Sequence, residues 1–227
     1  MGKKAVILLS GGLDSATVAA IAKEGGYELS AITFDYGQRH DVELNSAKKL
    51  ADFFNISDHK IITIPAEIFR TSLLKSSNSD VPKSRDIDAI NIPDTYVPAR
   101  NIIFLSYAAA YAESINAEVI FIGANSVDYS GYPDCRPEFF TAFTSMLAVG
   151  TKAGVEGFGV RIETPIISMT KAQIISKGTA LGLDYGMTHS CYDPNSAGLA
   201  CGQCDSCVLR KKGFQEAGVL DPTKYYL

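Results

Sequence analysis

Two groups of residues have types and spacing suited to chemistry. The first is Ser10-Gly11-Gly12-Leu13-Asp14-Ser15, placed directly after the apolar run Ala5–Leu9. A glycine-rich turn from a buried strand into a helix gathers backbone N–H groups at the positive end of the helix dipole, which suits an anion. Gly11 and Gly12 admit a phosphate without a Cβ in the way, and Ser10 and Ser15 add hydroxyl donors. Asp14 is out of place in an anion cradle unless a cation shares it, so it implies Mg²⁺ bridging carboxylate and phosphate oxygens. No Gly-Lys-Ser/Thr follows, so the loop is not of the Walker type. A plain helix cap at Asp14 or Ser15 is the simpler alternative.

The second group is Cys191, Cys201, Cys204 and Cys207. Two Cys-x-x-Cys steps bring neighbouring thiolates to one ion, and four thiolates suit a closed, structural Zn²⁺ site. An iron–sulfur cluster is the rival, and free or catalytic thiols are a third reading. Cys135 stands apart, where a lone cysteine serves packing or acts as a nucleophile.

Elements must position these groups. Residues 4–9 read as a strand buried on both faces, and Ser15–Ala22 as a helix stopped by Gly25-Gly26. A second strand ends near Asp35, which is placed to face the same crevice as the loop. The stretch 34–40 adds Arg39 and His40 as weaker candidates for holding phosphate or substrate. Val42, Leu44, Ala47, Leu50, Phe53 and Phe54 recur at helical intervals, and "HKIITI" is a third strand ending at Pro65. Strands alternating with helices predict an α/β fold with a parallel sheet. Residues 71–97 break the pattern and read as an active-site lid or an unstructured loop. A helix over 100–115, a strand over 118–124, a helix over 137–149, a strand in "GVRIETPI" and a helix over 170–181 follow. After Thr188 the composition turns to Cys, Gly, Asn and Pro. The chain therefore divides into an α/β domain over 1–188 and a four-cysteine subdomain over 189–227, closed by a helix near 204–217.

Bulk properties exclude several classes. The chain has 227 residues, 46% hydrophobic and 20% charged, enough for one core with a small appendage. The net charge of −4 argues against a protein built mainly to grip nucleic acid. No apolar run is long enough to span a membrane. The basic N-terminus precedes only five apolar residues and a Gly-Gly turn, so it reads as a first strand and not as a signal peptide. A cytoplasmic protein is expected, and clustered cysteines in that compartment favour metal over disulfides.

The loop "SGGLDS" resembles that of the N-type ATP pyrophosphatases, which cradle the pyrophosphate of ATP and move AMP onto an acceptor oxygen. With the tail, the resemblance narrows. "FDYGQRH" (34–40), "VPARNIIFLSYAAAYAE" (97–113), "GANSVDYSGYPDCRPEFF" (123–140), "TPIISMTKAQI" (164–174) and "SCYDPNSAGLACGQCDSCVLRKKGF" (190–214) are similar to stretches of the 7-cyano-7-deazaguanine synthases. One departure is Ala99, where glycine is expected before Arg-Asn.

That resemblance implies a Rossmann-like, adenine nucleotide alpha-hydrolase-like sheet with a zinc-binding tail. It implies an ATP-dependent carbon–nitrogen ligase that makes 7-cyano-7-deazaguanine from 7-carboxy-7-deazaguanine and ammonia in queuosine precursor synthesis. ATP is expected on Leu9, Ser10, Gly11, Gly12, Leu13, Asp14, Ser15, Ala16, Thr17, Val18 and Asp35, with Asp14 on Mg²⁺. One structural Zn²⁺ per chain is expected on Cys191, Cys201, Cys204 and Cys207, and a homodimer without nucleic-acid or membrane partners. The deazapurine candidates are Arg100, Asn101, Asp128, Tyr129, Tyr132, Asp134 and Arg136. Arg100 or Arg136 suits the substrate carboxylate, and Asp134 the guanine-like N–H edge.

Two other readings keep the loop. One is a tRNA-thiolating or amidotransferase-like relative. The other is a nucleotide-binding sensor with a metal clip and no turnover.

Overall fold

The computed structural model describes residues 2–38, 42–69, 71–74, 80–83, 92, 95–127 and 132–226. Five strands, β1 (Lys3–Leu8), β2 (Tyr27–Asp35), β3 (His59–Thr63), β4 (Val119–Phe121) and β5 (Arg161–Glu163), form one sheet. Their order is β3-β2-β1-β4-β5 and every pairing is parallel. β4 and β5 are shorter than the apolar runs that announce them, because pairing stops where the chain turns into the crevice at Gly123. The order reverses between β1 and β4, and open α/β sheets bind ligands outside the strand ends at such a switch point.

Strand residues alternate between two apolar layers. Val6, Leu8, Ile32 and Phe34 face the layer covered by α3 (Arg100–Ser114) and α4 (Pro137–Gly150), through Leu105, Ala108, Phe140 and Phe143. Ala5, Ile7, Leu9 and Ala31 face the other layer, formed by α1 (Leu13–Glu24), α2 (Val42–Phe53), α6 (Lys171–Ala180) and α7 (Asp205–Ala217). A short α5 (Lys152–Val155) follows α4. Both layers being buried explains why β1 reads as an unbroken apolar run. The four tail cysteines belong to the same apolar cluster as Val6 and Leu105, so the tail seals one side of the core.

The segment expected as a lid lies partly outside the described residues. Its described parts are anchored: Leu73, Leu74, Val81 and Val97 are buried in the α3 layer, and Leu74 bridges to Gln38.

Candidate active site

The loop is shaped by contacts on three sides. Gly11 has φ +88, and a Cβ there would strike the Glu43 carbonyl oxygen and approach the Ala47 nitrogen to 2.9 Å. Its carbonyl accepts from the His189 N–H at 3.0 Å, which ties the loop to the C-terminal segment. The Ser10 and Ser15 hydroxyls meet at 3.0 Å, and Ser15 Oγ donates to the Gly12 carbonyl at 3.1 Å. Gly12 caps α1 with no side-chain acceptor for its first turn, leaving those N–H groups for a ligand. On the β4 side, a Cβ at Gly123 would approach the Ser15 nitrogen to 2.9 Å, so glycine lets β4 close on the loop.

One cavity opens at this point. Leu9, Ser10, Gly12, Leu13, Asp14 and Ser15 line it. Gly11, Ala16, Thr17 and Val18 do not: Ala16, Thr17 and Val18 are fully buried in α1, and the Thr17 hydroxyl meets Tyr185 Oη at 2.8 Å. Asp35 is not among the residues that line the cavity. Ile32, Phe34 and Tyr36 line the cavity, so by strand alternation Asp35 points to the opposite side, where its carboxylate accepts from Gly37 N–H at 3.3 Å.

Among the expected substrate residues, Arg100, Asn101 and Tyr132 line the cavity. Asp134 and Arg136 do not. Asp134 is buried, and its Oδ2 accepts from the Asn101 backbone N–H at 3.1 Å, so it caps the first turn of α3. Arg136 is exposed at the start of α4. Asp128, Tyr129, Arg39 and His40 lie outside the described residues.

Several lining residues carried no expectation. Lys171, at the first position of α6, places Nζ 2.7 and 2.9 Å from the two Asp14 oxygens. A cation at a helix N-terminus opposes the dipole, and that misplacement is the signal that could have found it. Glu43 and Phe104 line the cavity too, with Phe104 stacked on Phe34 at 4.0 Å between ring centres. Burial pushes the Glu43 carboxyl up to about 7, against the pull of Arg100. Burial raises the Tyr36 hydroxyl pKa, and the Arg100 charge works against that rise. Cys135 lines the cavity, but burial pushes its thiol up to about 12, which keeps it neutral and argues for packing over nucleophilic attack.

The ligand atoms of Cys191, Cys201, Cys204 and Cys207 lie within 4.8 Å of one another, and all four residues are buried without a disulfide. Tetrahedral Zn–S bonds of about 2.3 Å require sulfurs about 3.8 Å apart. Cys201 and Cys207 Sγ stand at 4.0 Å. Backbone N–H groups of Tyr192, Asp193, Cys201, Gln203 and Cys204 donate to these sulfurs at 3.1–3.5 Å, a shell that favours thiolates. The donor set fits zinc. Cys191 also lines the cavity, so the metal site forms part of its wall.

Fold and site define a parallel α/β protein with a glycine-rich loop at the switch point and, beside it, four cysteines grouped as a metal site requires. Residues 4–218 match the model for queuosine biosynthesis protein QueC. The chain belongs to that family. It is 59% identical over 226 residues to the 7-cyano-7-deazaguanine synthase of Desulfatibacillum aliphaticivorans, covering 98% of this chain and 97% of that one. Against the synthase of Syntrophus aciditrophicus it is 57% identical, covering 97% and 96%. NMN synthetase from Francisella tularensis shares the fold, with TM-score 0.50 and 20% identity over 96% of this chain and 74% of that one. No helix among the described residues is long and apolar enough to cross a membrane.

Proposed function

We propose that this chain converts 7-carboxy-7-deazaguanine and ammonia, with ATP, into 7-cyano-7-deazaguanine. The observation that carries the reading is a single cavity that joins the Ser10–Ser15 loop to Arg100, Asn101 and an aromatic wall. Family membership supports the reaction, and one cavity beside the loop supports binding of the acid next to ATP.

A carboxylate is a poor electrophile because oxide does not leave. The acid oxygen attacks the α-phosphorus of ATP, and pyrophosphate departs. Ammonia then attacks the acyl carbon and expels AMP, giving the amide. The amide oxygen attacks a second α-phosphorus, and loss of AMP with two protons leaves the nitrile. First-turn N–H groups of α1, the Ser10 and Ser15 hydroxyls and Lys171 receive the departing pyrophosphate. Asp14 would hold Mg²⁺, which would supply neutralising charge for the departing pyrophosphate. Arg100 holds the substrate carboxylate, Asn101 and Tyr132 its polar surroundings, and Phe34 and Phe104 the flat ring. Asp35, Asp134 and Arg136 serve from outside the cavity, as turn and helix supports. One structural zinc on the four cysteines holds the Cys191 wall. The reading extends to a cytoplasmic homodimer organised as an α/β domain over 1–188 and a tail over 189–227.

Incubation of the purified protein with the acid, ammonium, Mg²⁺ and ATP, followed by mass spectrometry, tests the reaction. A nitrile with two AMP and two pyrophosphate per turnover is expected. Bound ATP with no consumption of the acid rejects it.

A further inference from the structure

Two side chains of opposite charge line the cavity without a direct ion pair between them. Glu43 stands in the first turn of α2, held beside the loop by the close approach of its backbone to Gly11. Arg100 begins α3 on the other layer of the fold. Among the described residues neither forms an ion pair and Glu43 accepts no side-chain hydrogen bond, although the Arg100 charge is felt at Glu43. A cavity-lining carboxylate that receives no donor from the described residues is costly unless a ligand brings one. Phe34, Tyr36 and Phe104 line the same cavity and pack on one another, a wall suited to a planar ring.

We propose that Glu43 is the specificity-determining acceptor of this pocket, taking the two parallel N–H donors of a guanine-type base edge. The inference rests on the proposed substrate and deepens it. A carboxylate has two oxygens in one plane, matched by a ring N–H and its adjacent exocyclic amine. Adenine does not match: beside its amino group it presents a ring acceptor, which would face a carboxylate oxygen. Arg100 takes the acid at the opposite side of the same ring. The assignment gives Glu43 the role for which Asp134 was the candidate, whose carboxylate is engaged at the start of α3.

Binding of three ligands to wild type and Glu43→Gln tests this. The ligands are 7-carboxy-7-deazaguanine, its analogue lacking the exocyclic amine, and ATP, each followed by calorimetry. Wild type is expected to prefer the parent acid on the order of a hundred-fold, the worth of a lost charge-assisted hydrogen bond and the acceptor it strands. Glu43→Gln is expected to bind the parent more weakly by a similar factor, to lose the discrimination and to keep its ATP affinity. Glu43→Asp keeps the charge and should retain part of the preference, and it carries the test if the glutamine variant does not fold. Equal binding of the acid by wild type and variant overturns the role of Glu43 alone. A loss falling on ATP, or on the KM for ammonium, overturns it by assigning Glu43 to another ligand. A wild type that binds neither base overturns the proposed substrate and this inference with it.

Discussion

Lys171 Nζ bridges both carboxylate oxygens of Asp14, at 2.7 and 2.9 Å, joining the first turn of α6 to the first turn of α1. The Lys171 side chain is 8% exposed and that of Asp14 19%, so the pair is largely shielded from water. Removing one partner of such a pair costs about 3–5 kcal/mol because the other charge is stranded. Asp14→Asn is therefore expected to lower the melting temperature and to cut turnover by about 100-fold or more. Saturating ATP should restore part of the stability, because phosphate oxygens give Lys171 a new partner. Thermal unfolding with and without ATP, beside the turnover assay, checks both effects; turnover at the wild-type rate would remove Asp14 from the machinery.

Gly11 carries the approach of α2 to the loop. With φ +88 and the Glu43 carbonyl in the place of a side chain, Gly11→Ala combines left-handed strain with overpacking against backbone. A loss of about 2–5 kcal/mol is expected from denaturant unfolding. ATP affinity should fall with it. A stable Gly11→Ala protein with normal ATP binding would show that α2 does not seat the loop.

The sheet and its helices were legible because parallel strands buried on both faces leave apolar runs, and helices leave a 3.6-residue period. The loop was legible because its chemistry is local in sequence. Strand ends were less so: β4 and β5 stop where pairing stops, and pairing is set by distant chain. The face Asp35 takes follows from Phe34 and Tyr36 lining the cavity, which its own position in the sequence does not reveal. Asp134 is ambiguous in the sequence because a buried carboxylate that caps a helix 33 residues earlier in the chain has the same signature as one that reads a ligand. The Lys171–Asp14 pair spans 157 residues, and only the wrong-end placement of a lysine beside the Thr170–Gln173 capping box hints at it.

Ala99 shows what a single departure from a pattern means physically. It precedes α3 with φ +56 and ψ +20, the left-handed region where glycine is at ease. Alanine there costs roughly 1–2 kcal/mol, partly offset by the greater freedom glycine has in the unfolded chain. Ala99→Gly is expected to raise stability by about 1 kcal/mol at unchanged turnover. Denaturant midpoints decide the matter, and a lower midpoint would mean that the Ala99 methyl contributes packing that outweighs its backbone strain.

Metal removal should reach the substrate through Cys191. Structural zinc contributes about 10–16 kcal/mol of apparent binding energy in small finger domains, comparable with the whole stability of a typical domain. Cys204→Ser is expected to release the ion, destabilise the protein and weaken binding of the deazapurine acid, since Cys191 and Tyr192 line the cavity. Metal analysis by mass spectrometry with acid titration tests the chain of effects. Full zinc occupancy in the variant would reject the ligand set, and a brown protein would replace zinc with iron and sulfur.

Arg210 and Asp221 close the C-terminal segment onto α7. Arg210 Nε donates to Asp221 Oδ1 at 3.0 Å, while its remaining donors reach Thr188, Ser190 and the Tyr185 carbonyl. Burial works against the Asp221 charge, but Arg210, the Tyr225 hydroxyl and the Thr223 N–H outweigh it and hold its carboxyl below the usual range. A depressed folded pKa means that the unfolded chain binds the proton more readily. The contribution of Asp221 is therefore complete at neutral pH and is lost as pH falls through its folded pKa, below about 4. Asp221→Asn should destabilise the protein by about 3–5 kcal/mol at pH 7, since it strands the buried guanidinium. The same variant should flatten the acid limb of the stability curve. Melting temperatures of wild type and variant across the acid range check the sign, and parallel curves would show that another carboxylate governs acid unfolding.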